Sequence, residues 1–313
     1  MKWALMKTVL AFGEALWDLL PSGPALGGAP ANFAYRLNAF GDRALLVTRL
    51  GRDAWGLRAG ERLKALGLDL ALVQWDDRRP TGTVPVSVDA RGVPEFTIVP
   101  DVAYDYIEPA PALLEAAARA DAVYFGTLVQ RSPVSRETLR RVLAAAPRAA
   151  KFLDINLRKD CYTPETIAAS LAAADVLKLN EGEAEALAGM FGLRGGAPAA
   201  AAEAILERWP LRCCVVTLGE RGAVAVSRNE RAEVPGWNVR VVDTVGSGDA
   251  FSAGFLGAYL QGRPLAECLF RGNVLGALVA EQEGATQPLG PEDVRRFLER
   301  EGAGSSGEKG IRR

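Results

Sequence analysis

The chain contains no histidine. That removes Ser-His-Asp and Cys-His catalysis and any His-ligated zinc, so acid–base work must fall to Asp, Glu, Lys, Tyr or Cys. Its four cysteines, Cys161, Cys213, Cys214 and Cys268, form no Cys-x-x-Cys pair. The adjacent Cys213 and Cys214 would face opposite sides of a strand. All four are expected to be small buried residues in a reducing, cytoplasmic compartment. Neither charge is in excess: 37 Lys and Arg stand against 38 Asp and Glu, a net charge of −1. That balance argues against nucleic acid or an anionic membrane as a partner. No apolar run approaches the roughly 20 residues of a transmembrane helix. The opening "MKWALMKTVLAFGEALWDLLP" carries Glu14 and Asp18 and lacks a small-residue cleavage site. It reads as a first strand rather than a secretory signal. No Gly-Lys pair occurs anywhere, which excludes a P-loop.

Apolar residues make up 49% of the 313, enough for one large domain, expected over residues 1–301. Short β-rich runs ("TVLAF", "ALLVTRLG", "AVYFGT", "KFLDIN", "VLKLN", "CCVVTLG") alternate with helical stretches. The helices are expected at Pro30–Phe40, Trp55–Leu66, Ser135–Ala146, Pro164–Ala174 and Ala199–Trp209. Three more, Ser247–Gln261, Pro264–Glu283 and Pro291–Glu301, follow near the end. Continuous apolar strands between helices imply an α/β fold, its mostly parallel sheet covered on both faces.

Residues 70–99 break the alternation. They read as several strands with "VDARGV" as a hairpin turn, and with part of 13–25 they are expected to form a small β-lid over a site. The Gly/Ser/charge-rich end, residues 302–313, is expected to be a disordered tail.

The stretch "DTVGSGDAFSAGFLGAYL" (Asp243–Leu260) places glycines and a carboxylate where a loop becomes a helix. Exposed amides and the helix dipole suit a phosphate there. "GSGDAF" supplies only the first two glycines of G-x-G-x-x-G, with Phe251 in the third place, and no strand follows; a dinucleotide site is therefore weak. Phosphoryl transfer needs amide donors for the moving group and an acceptor for the substrate's proton. The amides of Val245–Gly248 can supply the first and Asp249 the second. The helix terminus is expected to favour ionised Asp249, a weak base always ready.

"DTVGSGDAF", together with "LGGAPANFAYRLNAFG" (Leu26–Gly41) a little over 200 residues upstream, resembles the two signatures of the ribokinase-like (PfkB) carbohydrate kinases. The resemblance runs from Thr8 to Glu301. It implies a three-layer sandwich with a β-lid, ATP and Mg²⁺ as cofactors, and room for a monovalent cation. It further implies Asp249 as the base, with Gly246, Ser247 and Gly248 as an anion hole. Asp18, Gly27, Gly28 and Asn32 would hold the sugar. "LDINLR" would put Asn156 and Arg158 near substrate or phosphates. "NEGE" gives Asn180 and Glu183, associated with magnesium and phosphate, Glu183 acting through water. "TLGERG" gives Thr217, Gly219 and Gly222 under the nucleotide, and Asn273 would pack adenine. Val245 departs from the second Thr of many members and Ser247 from their Ala; the lost hydroxyl bears on any potassium effect.

"GGAPAN" and "GEALWDLLP" resemble the fructokinase branch more than the ribokinases, which favour Gly-Lys in the first stretch, or the ketodeoxygluconate kinases. Val99–Ile107 is expected to reach the sugar from the lid side, with Asp101 and Tyr104 as candidate contacts. The expected substrate is fructose or a related ketohexose. The alternatives are 2-keto-3-deoxygluconate, ribose or a nucleoside, and a degenerate ligand-binding scaffold. The lid's open strand edge leaves room for a homodimer.

Overall fold

The structure, a computed structural model, describes residues 6–88 and 94–304. The first part holds β1 (Thr8–Phe12), β2 (Leu16–Leu20), β3 (Gly23–Gly27), α1 (Ala29–Ala39), β4 (Arg43–Gly51) and α2 (Ala54–Ala65). There follow β5 (Val73–Asp76), β6 (Gly82–Val88), β7 (Pro94–Phe96), α3 (Pro111–Arg119), β8 (Ala122–Phe125), α4 (Pro133–Ala145) and β9 (Ala150–Asp154). Next come α5 (Pro164–Ala173), β10 (Val176–Asn180), α6 (Glu181–Phe191), α7 (Pro198–Arg208) and β11 (Cys213–Thr217). The last part is β12 (Ala223–Ser227), β13 (Arg231–Val234), α8 (Ser247–Leu260), α9 (Leu265–Ala280) and α10 (Pro291–Gly304).

A nine-stranded sheet runs in the order β13-β12-β11-β10-β9-β8-β1-β4-β5. From β11 to β5 every pairing is parallel, while β12 and β13 add antiparallel strands at one edge. Alternate residues feed two cores. Val9 and Ala11 join the cluster under α1, α2, α8 and α9, whereas Leu10 and Phe12 join the cluster under α3 to α7. This double burial is why the strands read as unbroken apolar runs. Cys213 and Cys214 divide between the two clusters as expected, and all four cysteines are free and buried.

Helix starts follow local chemistry. Proline occupies the first turn of α1, α4, α5 and α7, where a missing N–H costs nothing. Asp53 caps α2 by accepting from the Gly56 amide at 2.7 Å. The sequence reading gave no signal for α3, α6, β12 or β13.

A second sheet, β3-β2-β6-β7, stands apart from the first. One expectation is corrected here. β5 pairs with β4 at the edge of the large sheet, so residues 70–76 are not part of the small sheet, which takes up the chain again only at Gly82. The "VDARGV" turn falls mostly on residues 89–93, outside the described residues. A second correction concerns the tail: α10 continues to Gly304, so residues 302–304 are helical. No helix among the described residues is long and apolar enough to cross a membrane.

Candidate active site

The carboxyl ends of the parallel strands converge on one crevice. β1 leads into Glu14, β9 into Asn156 and Arg158, β10 ends at Asn180 and β11 at Thr217. The sheet order reverses between β1 and β8, and such a switch point is where open α/β sheets bind ligands.

Asp249 is the third residue of α8. Its Oδ2 accepts a hydrogen bond from Asn32 Nδ2 at 2.9 Å, joining two signatures far apart in sequence. Gly246 caps the helix in the left-handed region, φ 78°, and a Cβ there would collide with Ala285. Only glycine suits that turn. Ser247 Oγ donates to the Gly276 carbonyl at 2.7 Å, which ties the head of α8 to α9.

Beneath this turn lies a charged pair for which the sequence reading made no allowance. Asp154, 1% exposed, accepts from Lys178 Nζ at 3.1 and 3.4 Å, from Ser252 Oγ at 2.8 Å and from the Tyr124 hydroxyl at 3.2 Å. Lys178 faces Asp154 across the β9–β10 register. Its Nζ lies 3.2 Å from where a Cβ on Gly248 would stand, directly against the head of α8. Burial works against the lysine charge, but the Asp154 carboxylate overrides it and raises the Lys178 pKa. A lysine inside the apolar run "VLKLN" was the available signal.

These surroundings leave Asp249 mostly ionised at neutral pH but raise its basicity above that of an ordinary helix-terminal carboxylate. Burial first, then the Asp154 carboxylate, push its pKa up to about 6; Asn32, Lys178 and Arg158 pull the other way. The helix terminus does not win, and Asp249 is a stronger base than expected, poised near neutral pH.

The residues expected to hold the sugar share a charged neighbour with Asp249, since Arg158 acts on Asp18 and Asp249 alike. Asp18 lies on β2, with its carboxylate against Gly27, where a Cβ would sit 2.6 Å from Oδ2. Gly28 has φ 111°, and a Cβ would stand 2.5 Å from the Glu14 carbonyl. Burial lifts Asp18 to about 6, opposed by Arg158. Arg158 is exposed, and its charge is felt at Asp18, Glu14 and Asp249. Asn156 has a positive φ of 40° and lines a small hollow with Glu14, Asp154 and Thr127. Glu14 was not anticipated. It is buried, accepts from the Ala29 amide at 3.2 Å, and is pushed up to about 7 by burial, with a smaller push from Asp249.

Two lid-side candidates do not reach this group as free side chains. Tyr104 is fully buried, and its hydroxyl accepts from Arg131 at 3.0 Å. Asp101 accepts from the Tyr106 hydroxyl at 2.5 Å and pairs with Arg79 at 3.2 Å.

On the other side of α8's head lies a cleft of about 420 Å³. Asn180, Thr217, Gly219, Gly222 and Asn273 all line it, and it reaches Ser247 and Gly248. Thr217 Oγ1 donates to the Leu179 carbonyl at 3.3 Å. Asn273 Nδ2 donates to the carbonyls of Val234 and Pro235, both at 3.1 Å, so it clamps the cleft wall as well as facing the cleft. The loop Trp237–Val241 forms the opposite wall and was missed.

Asn180 and Glu183 form a capping box on α6. Asn180 Oδ1 accepts from the Glu183 amide at 2.9 Å and Glu183 Oε2 from the Asn180 amide at 2.8 Å. Glu183 Oε1 also accepts from the Leu157 amide at 2.9 Å. Each carboxylate oxygen keeps a further lone pair. That donor set fits a Mg²⁺ reached through its water shell and carried by phosphates, not one held directly. Among the described residues no group of three or more acidic, Cys or His residues is arranged for a metal.

Comparison with known proteins bears on this arrangement. The chain matches the family described as "pfkB family carbohydrate kinase" over residues 24–291. It is 28% identical to fructokinase-1 of Oryza sativa subsp. japonica, covering 93% of this chain and 97% of that protein. It is 29% identical to a fructokinase of Klebsiella pneumoniae, covering 93% and 99%. Among solved structures, a fructokinase of Vibrio cholerae O395 in a fructose, ADP and calcium ion bound form superposes with a TM-score of 0.80. That pair shares 25% identity over 94% of this chain and 99% of the other.

Proposed function

The chain belongs to the pfkB family of carbohydrate kinases, and we propose on that premise that it transfers the γ-phosphoryl group of ATP to a hydroxyl of free fructose or a close ketohexose. The observation that carries this reading is the Asn32–Asp249 hydrogen bond at the head of α8. It joins the sugar-side residues to a carboxylate whose pKa of about 6 suits proton abstraction near neutral pH.

In this mechanism Asp18, Asn32 and the main chain at Gly27 and Gly28 orient the sugar. Asp249 takes the proton of the attacking hydroxyl. The amides of Gly246, Ser247 and Gly248 hold the charge of the moving phosphoryl group, aided by the dipole of α8. Arg158 supplies a further positive charge on that side. The adenine and ribose occupy the cleft between Asn273 and the Thr217–Gly222 turn. When bound, Mg²⁺ would supply charge neutralisation at the phosphates, and Glu183 and Asn180 would hold it through its water shell. Val245, 49% exposed, offers a cation no side-chain oxygen, so a monovalent cation would have to rely on main-chain carbonyls. The small sheet acts as a lid over the sugar, and its open edge is the proposed face for a homodimer, tested by light scattering.

The choice of a neutral sugar rests on hydroxyl-binding Asp18 and Asn32 without a basic cluster. A sugar acid or sugar phosphate needs Arg or Lys pairing. Arg36 is not available, since its guanidinium is turned onto main-chain carbonyls. The test is ADP release across fructose, ribose, adenosine and 2-keto-3-deoxygluconate. Fructose is expected to give the highest kcat/KM. A tenfold preference for ketodeoxygluconate, which Arg158 could pair, or for a nucleoside would overturn the substrate while leaving the kinase.

A further inference from the structure

Arg36 is 1% exposed and among the largest fully buried side chains of the described residues. It has no carboxylate partner among the described residues. Its NH2 donates to the Ala285 carbonyl at 2.6 Å and its NH1 to the Gln287 carbonyl at 3.1 Å, while Nε has no partner there. Burial lowers its pKa, yet a guanidinium stays charged at neutral pH. Burying a charge with no carboxylate beside it is expensive, even with the Tyr35 ring centroid 5.1 Å from its Cζ.

The position suggests a role. Arg36 lies one turn beyond Asn32 on α1, so one helix face carries both the residue that holds Asp249 and the residue that holds Ala285. Ala285 in turn abuts Gly246, where a Cβ would collide with it. The adjoining Gly284 amide donates to Asp243 Oδ2 at 2.9 Å, and Oδ1 of the same carboxylate accepts from Val245 at 3.0 Å. The 284–287 loop is thereby fastened to both sides of the Gly246 turn. Arg36 is its anchor on the opposite flank.

We propose that Arg36 is a positioning residue for phosphoryl transfer: it fixes the 284–287 loop against Gly246 and keeps a permanent positive charge behind the proposed anion hole. The inference rests on the phosphoryl-transfer reading of the Gly246–Gly248 turn. Its chemistry is that of a tethered cation, bound by carbonyl oxygens, whose uncompensated charge favours a phosphate arriving at the head of α8.

The test compares wild type, Arg36→Gln and Arg36→Ala by hydrogen–deuterium exchange and by kinetics. In Arg36→Gln, exchange over 243–250 and 284–290 should rise about tenfold, with the small sheet and the β8–β11 strands unchanged. Turnover should fall by about 10- to 100-fold with the sugar KM within about threefold, the pattern of a lost transition-state interaction. Added guanidinium ion should restore part of the turnover of Arg36→Ala. Unchanged exchange over 243–250 would overturn the proposal, as would a rise spread evenly through the fold, which marks simple loss of packing. Should Arg36→Gln not fold, Arg36→Lys carries the test, with raised exchange in the same two segments expected and wild-type exchange overturning the idea. A wild-type protein inactive on every sugar would instead fail the kinase reading, and the exchange measurements would still decide the role of Arg36.

Discussion

Asn32 and Asp249, separated by 217 positions in sequence, share a hydrogen bond of 2.9 Å between the first helix and the eighth. A carboxylate held this way receives from Asn32 a neutral donor, not a counter-charge. Its basicity is therefore set by burial and by the negative charge of Asp154 below it.

Asp249→Asn should abolish phosphorylation while leaving ATP and sugar binding within a few-fold, because a base is needed in the transition state more than in the ground state. Calorimetric binding alongside turnover checks both halves. Turnover above a few per cent of wild type would show that Asp249 is not the base.

The pH profile of kcat/KM should have an acidic limb near 6, since protonation of Asp249 removes the base. Replacing Lys178 by Met takes away a positive charge that lowers this pKa, so the limb should move to higher pH. The same change strands the buried Asp154 carboxylate and should cost about 3–5 kcal/mol of stability. A limb that stays in place in a folded Lys178→Met variant would disconnect the pair from the base.

Glu14 offers a stability test with a defined sign. Its folded pKa of about 7 exceeds the ordinary 4.5 of a free glutamate, so the folded state binds the extra proton between those values. Stability should therefore fall as pH rises from about 4.5 to about 7, by about 3 kcal/mol for this one group. Glu14→Gln keeps the acceptor for Ala29 and removes the charge. Thermal unfolding of this variant should exceed wild type at pH 8 and match it near pH 5. Equal melting temperatures at pH 8 would contradict the burial argument.

Glu183→Gln should raise the magnesium concentration needed for half-maximal turnover at saturating ATP. Its capping box and Leu157 contacts add a separate loss of about 1 kcal/mol, because an amide nitrogen would face a main-chain N–H. A magnesium titration unchanged beside a lowered melting temperature would leave Glu183 with its capping role alone.

Much of the fold was legible because its cues are local. Unbroken apolar runs marked β1, β4, β8, β9, β10 and β11, and prolines in first turns marked several helix starts. Asp249 was visible because glycines bracket it where a helix begins. The short β5 was misassigned to the lid because a four-residue strand carries no information about which sheet it joins. Nothing local in "LDINLR" marks Asp154, because its partner Lys178 meets it only across the β9–β10 register.

What the sequence by itself determined is the class of fold, the strand-and-helix alternation, and the two stretches that meet at the site. These depend on propensities, caps and glycine conformations acting over a few residues. Only the tertiary structure decided how those residues are charged and braced. The Asp154–Lys178 pair, the elevated pKa of Glu14 and Asp249, and the inward turn of Arg36 onto Ala285 all arise between side chains brought together by sheet register and helix packing. A pKa depends on burial and on neighbours within a few ångströms, and neither is written in the order of residues along the chain.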